Sequence, residues 1–170
     1  MISISYNKNI KVVESAPKWF NVERKESFIM LYGRYEHTVD AKNRVFIPAK
    51  FKEALGSSFK ITFNRITNKC ILVYSNEEWE KLEKEVVALP RVKHEVFIRE
   101  VFSNTVDVQL DAQGRIVIPQ FLKDNAELQK NVLFLGVGTH IEIWSPDVLE
   151  EKNSKVDPEE LKNMMMEIGF

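Results

Sequence analysis

The chain of 170 residues carries 24 Lys and Arg against 25 Asp and Glu, a formal net charge of −1, so any affinity for nucleic acid must come from a local patch and not from a basic whole-molecule field. Its 44% apolar and 29% charged residues exclude wholesale disorder, at a length that suits one compact domain or two small halves sharing a core. No apolar run reaches the roughly 18–20 residues that span a bilayer, no secretory signal opens the chain, and the single cysteine, Cys70, rules out an intramolecular disulfide.

In chain order, residues 1–29 show no clear periodicity and read as an N-terminal extension, poorly ordered or foreign to the native protein. Lys25-Glu26 can be encoded by AAG GAG, a ribosome-binding-like run three codons before Met30. Met30 is therefore the expected native start, which N-terminal sequencing of the endogenous protein tests. Tyr35, His37 and Val39 alternate with Glu36 and Thr38, the period of a half-buried strand. A turn follows, then the β-rich run Val45-Phe46-Ile47, then Pro48, which suits the first position of a helix that Gly56 closes. Phe59 to Phe63 and Cys70 to Tyr74 form a hairpin, in which Cys70 reads as a small buried hydrophobe. Ser75-Asn-Glu-Glu78 is a capping-box pattern ahead of a helix whose Trp79, Leu82, Val86 and Leu89 share one face, ended by Pro90. An amphipathic segment from Val92 to Val101 leads to a strand with Val106, Val108 and Leu110 on one side. After a second turn come Ile116-Val117-Ile118, Pro119, and a hairpin of Val132 to Val137 with His140 to Trp144. Asp157-Pro158 opens a last helix with Leu161, Met164, Met165 and Ile168 on one face, packed either on its own protomer or on a partner.

The order of elements repeats because the sequence does. Residues 40–52 realign with residues 111–123, with identities at Asp, Ala, Arg, Ile, Pro and Lys, and Ile71 to Ser75 corresponds to Ile141 to Ser145. The unit is strand, turn, strand, helix, followed by a hairpin. Residues 30–89 and 90–150 are the two expected repeats, and 151–170 a helical tail. The turn has the pattern Asp-Ala-x-(Asn/Gly)-Arg, with Asn43 and Gly114 at the position that most readily accepts positive φ. Asp40 and Asp111 can cap backbone N–H groups of their own turns. Arg44 and Arg115 can either pair with those carboxylates or project towards an anion, and a rigid basic loop presented twice suits a repeated ligand such as a phosphate backbone with its groove edges. Lys42 is basic where the second copy has Gln113, so the first turn is expected to dominate affinity. Residues 30–56 carry five basic against three acidic side chains and residues 145–170 seven acidic against three basic, so one end can face phosphate while the other repels it.

From Met30 the run through Asp40-Ala-Lys-Asn-Arg44 to Phe51 closely resembles the opening of the MraZ family, and Asp111 to Pro119 and Glu142-Ile-Trp144 extend the resemblance over about 30–150. The resemblance implies an α+β, β-rich fold, double-split β-barrel-like and related to the AbrB-type swapped hairpin. It implies a cytoplasmic, nucleoid-associated regulator that forms ring-shaped homo-oligomers. These would bind direct repeats in double-stranded DNA upstream of the division and cell-wall gene cluster, as a repressor of that operon. Carried over by motif, Lys42, Asn43, Arg44, Gln113, Gly114 and Arg115 become the DNA-contacting residues, with Asp40 and Asp111 shaping the loops. Asn43 stands where the family commonly has glycine, and residues 1–29 precede its usual start.

Other functions find less support. There is no Walker loop, Gly136-Val-Gly138 lacks the rest of a dinucleotide fingerprint, and His37, His94 and His140 have no metal-ligand spacing. No nucleophile, base and orienting group come together, so no catalytic residue, metal, cofactor, small-molecule substrate or membrane is expected. The rival is an antitoxin-like protein-binding module that uses the acidic tail, although antitoxins usually carry one hairpin per chain.

Overall fold

The computed structural model describes residues 5–7, 10–12, 30–63 and 68–169. Within the N-terminal extension it describes one short antiparallel pair, β1 (Ser5–Asn7) with β2 (Ile10–Val12). The expectation of poor order for the rest of that stretch lies outside the described residues.

The fold is α+β, and the duplicated unit is plain in it. The first copy runs β3 (Leu31–Thr38), a turn, β4 (Arg44–Phe46), α1 (Ala49–Leu55), β5 (Ser58–Phe63), β6 (Ile71–Ser75) and α2 (Asn76–Val87). After α3 (Arg91–Ser103), the second copy runs β7 (Val106–Gln109), a turn, β8 (Arg115–Val117), α4 (Gln120–Asn125), β9 (Asn131–Gly138), β10 (Ile141–Trp144) and α5 (Pro146–Ser154). The helix α6 (Pro158–Glu167) follows. Pro48 and Pro119 sit one place earlier than expected. Each is the N-cap, with ψ of 133° and 140°, because the strand's extended backbone persists through the proline before the helix begins. At α2 the capping reading holds, since the Ser75 side chain accepts the Glu78 N–H at 3.3 Å.

Strand pairing is where the copies meet. The main sheet has the order β3-β9-β10-β6-β5-β7, antiparallel throughout, so each copy gives its first strand to the other copy's hairpin. β4 and β8 leave that sheet and pair with each other, Arg44 opposite Val117, Val45 opposite Ile116 and Phe46 opposite Arg115. The order is a palindrome of equivalent strands about the β10–β6 junction, and the sheet stays open, with β3 and β7 as its edges.

Alternation then sorts the side chains. Phe59, Ile61, Phe63, Ile71, Val73, Val132, Phe134, Ile141 and Ile143 face a core closed by the inner side of the β4–β8 ribbon, through Val45 and Ile116, and by Phe51 and Leu122 of α1 and α4. The other face carries Leu72, Leu133 and Trp144, covered by Leu149 of α5, with the Cys70 thiol among them. Burial pushes that thiol's pKa well up. The helices α3 and α6 are barely packed. In α3, Val92, Val96 and Phe97 are exposed, and α6 buries none of its residues, so Leu161, Met164, Met165 and Ile168 form an exposed apolar stripe. No described helix is long and apolar enough to cross a membrane.

Candidate functional site

The duplicated turns lie at opposite ends of the β4–β8 ribbon and have the same construction. In the first, the Asp40 carbonyl accepts the Asn43 N–H at 2.9 Å, while one carboxylate oxygen accepts the N–H groups of Lys42 (2.8 Å) and Arg44 (2.9 Å). In the second, Asp111 repeats each bond, to Gly114 (2.8 Å), Gln113 (2.9 Å) and Arg115 (3.0 Å). This closed Asx geometry forces the fourth residue into the left-handed region, φ 56° at Asn43 and 79° at Gly114.

The second oxygen of each carboxylate takes the arginine. Arg44 donates Nε to Asp40 at 2.7 Å with Nη2 also at 2.7 Å, and Arg115 does the same to Asp111 at 2.8 and 2.7 Å. The arginine side-chain bonds, followed by those of the backbone amides, hold both carboxyls at about 2, against an ordinary 3.8. The pairing does not exhaust the guanidinium. Two of its five N–H donors face the aspartate, which leaves three for another acceptor. Arg44 is the more accessible of the two, its side chain 31% exposed against 18% for Arg115.

Strand alternation aims the arginines. Val45 and Ile116 point into the core, so Arg44, Phe46, Arg115 and Val117 share the outer face of the ribbon, with Arg44 and Arg115 as diagonal neighbours roughly 7–8 Å apart at the backbone. The Arg115 guanidinium lies over the Phe46 ring at 5.7 Å. Lys42 and Gln113 are exposed at the tips. The result is a two-stranded ribbon presenting two held cations and two apolar groups outward. The structure thus places the eight motif residues along one ribbon, four at each end.

Reading along the chain missed the residues that brace it. Asn43 donates its side-chain amide to Gln120 Oε1 at 2.8 Å and accepts from Lys123 Nζ at 3.1 Å, both on α4 of the other copy. The Ile118 N–H donates to the Asn43 carbonyl (2.9 Å) and the Ile47 N–H to that of Gly114 (3.1 Å). Each turn is therefore anchored on the opposite repeat. The signal was present in the alignment of the two copies, where Lys52 and Lys123 coincide, but nothing local shows that each reaches across to the other turn. Among the described residues no group of three His, Cys, Asp or Glu side chains could hold a metal ion.

With this geometry in hand, comparison with known proteins is direct. A family model described as an MraZ protein of antitoxin-like character matches residues 30–96 and 101–163. The chain is 45% identical over 130 residues to the transcriptional regulator MraZ of a Thermoanaerobacter species, covering 75% of this chain and 90% of that one. It is 43% identical over 145 residues to the protein of that name in Thermoanaerobacter pseudethanolicus and 41% identical over 144 residues to the one in Clostridium tetani. Each of those two matches covers 83% of this chain and 100% of the relative.

Proposed function

The chain belongs to the MraZ family, and from that membership we propose that it is a transcriptional regulator that grips double-stranded DNA with the paired turns. The observation that carries the reading is the outer face of the β4–β8 ribbon, where two arginines set by identical Asx turns stand as diagonal neighbours. A two-stranded ribbon fits the major groove, and an arginine fork can contact both acceptors of guanine. Lys42, as a point charge, serves a phosphate oxygen. Asp40 and Asp111 fix the turns so that little is left to order on binding. The protein acts as a homo-oligomer, in a ring, on direct repeats upstream of the division and cell-wall genes, and represses them. It works in the cytoplasm on the nucleoid, without catalysis. The exposed apolar stripes of α3 and α6 support self-assembly.

Binding to the chain's own upstream DNA, measured as a function of salt, tests this. Arg44→Ala should weaken specific binding by about 1–3 kcal/mol for each base that the arginine reads, while the chain stays folded. Lys42→Ala should flatten the salt dependence and spare sequence preference. Specific binding untouched by removal of both Arg44 and Arg115 overturns the reading, and an Arg44→Ala chain that fails to fold makes that arginine a strut. A second reading, capture of a small protein by the acidic tail, draws on the bare stripe of α6 and the antitoxin-like family description. A stoichiometric small protein co-purifying with the chain would favour it.

A further inference from the structure

The second turn lacks a lysine where the first has Lys42, and the structure supplies one from elsewhere. Lys52, on α1 of the first repeat, is half-buried and lies across the bare backbone of Gly114, so that a Cβ there would sit 2.1 Å from its Nζ and 2.8 Å from its Cε. A methyl there would push the flexible end of the lysine aside. Among the described residues the Lys52 side chain has no hydrogen bond and no ion pair. The Asp111 carboxylate beside the turn is already taken by Arg115. The His37 ring, which feels the Lys52 charge, is held below its ordinary pKa first by burial and then by that charge, so it offers no countercharge. Lys123, the equivalent lysine, instead donates to the Asn43 side chain.

We propose that the Lys52 ammonium, lying over Gly114, forms an oxyanion seat on the second turn, and that its ligand is a phosphodiester oxygen of the bound DNA. The two equivalent lysines differ in engagement: Lys123 at the first turn donates to the Asn43 side chain, whereas Lys52 meets a glycine that offers no side-chain acceptor. Lys52 raises the second turn from zero, Arg115 against Asp111, to +1, which favours an anionic occupant. The seat rests on the DNA reading above and deepens it, since the two turns then each offer one arginine and one unpaired lysine from different places in the chain.

The test is the slope of log K against log salt for the full chain on its upstream duplex. Each phosphate neutralised contributes about 0.9 to that slope. Lys52→Gln should lower it by about that amount per engaged second turn, with sequence preference and Tm unchanged. Lys52→Arg, which keeps the charge at that place, should hold the slope. An unchanged slope in Lys52→Gln overturns the seat. So does a slope that falls as far in Lys52→Arg, because the loss would then come from repacking and not from the charge. Replacing chloride with inorganic phosphate at equal ionic strength should displace DNA from wild type more than from Lys52→Gln, and phosphate binding that depends on Lys52 with no change of the DNA slope assigns the seat to a free anion. If wild type does not bind the duplex, the DNA reading itself falls. If it binds and the arginine variants weaken it while Lys52→Gln keeps the full slope, only the seat falls.

Discussion

Gly136→Ala probes the strand exchange at its tightest point. A Cβ at Gly136 would lie 2.5 Å from Tyr32 N and 2.7 Å from Leu31 C, backbone atoms of β3 that cannot rotate aside. Comfortable separations are about 3.5–4.0 Å, so β3 and β9 must part locally by about 1 Å. β3 is an edge strand with β9 as its sheet partner, and the least costly response is to peel off its Leu31–Gly33 end. Full peeling exposes Leu31, now 6% exposed, at about 1.5–3 kcal/mol, and breaks about two ladder bonds at about 1 kcal/mol each. Partial spreading costs about 1–3 kcal/mol as overpacking does. The smaller figure governs, because the strand takes the easier route, and it lowers Tm by roughly 3–10 °C for a chain of this size. Urea unfolding gives the stability change, and amide exchange should show protection reduced at Leu31–Gly33 and kept from Tyr35 to Thr38. Val137→Ala next door, at an exposed position, is the control and should be close to neutral. A midpoint unchanged by Gly136→Ala, with β3 still protected, would refute the close approach of the exchanged strand.

Acid should spare the turns until it is strong. The Asp40 and Asp111 pKa values are depressed, so their contribution is complete above the unfolded value of 3.8 and disappears as pH falls through about 2; NMR titration of the two carboxyls reads it, and midpoints near 4 would contradict the bonding described. The Cys70 thiol, fully buried and with its pKa raised, should resist a thiol reagent at pH 8 in the folded chain and react completely in denaturant, whereas prompt labelling of the native protein would show an accessible site. Leu161→Glu combined with Met165→Glu alters only exposed positions, so protomer stability should hold while the sedimenting mass falls, and an unchanged mass would remove α6 from any assembly interface.

Much of this fold was legible because its signals are local. The alternation around Tyr35 and His37 and the Ser75 cap each lie within a few residues, the motif of Asp40 to Lys52 is itself a short run that simply recurs at Asp111 to Lys123, and each corresponds to an element in the structure. The turn chemistry was legible too, since Asp four residues before Arg around a positive-φ position has few other uses. Pairing across the copies was not. Nothing in Val45 announces Ile116, nor in Asn43 announces Gln120, 77 residues away, because a hydrogen bond between distant segments leaves no periodicity behind. The diagonal placement of the arginines follows from that pairing and was hidden with it. α3 shows the reverse case. Its apolar residues were visible, but periodicity alone does not say what covers them, and the protomer leaves Val92 and Val96 bare.

The palindromic strand order makes one polypeptide the equivalent of two short chains clasped together, with a consequence that a true pair of identical chains lacks. Identical halves must show a surface that looks the same when turned end over end. Covalent tandem fusion lifts that restriction, and here the halves have drifted apart, Lys42 and Asn43 at one end of the ribbon and Gln113 and Gly114 at the other. The molecule has gained a head and a tail. A ligand laid along its ribbon would meet different groups at the two ends.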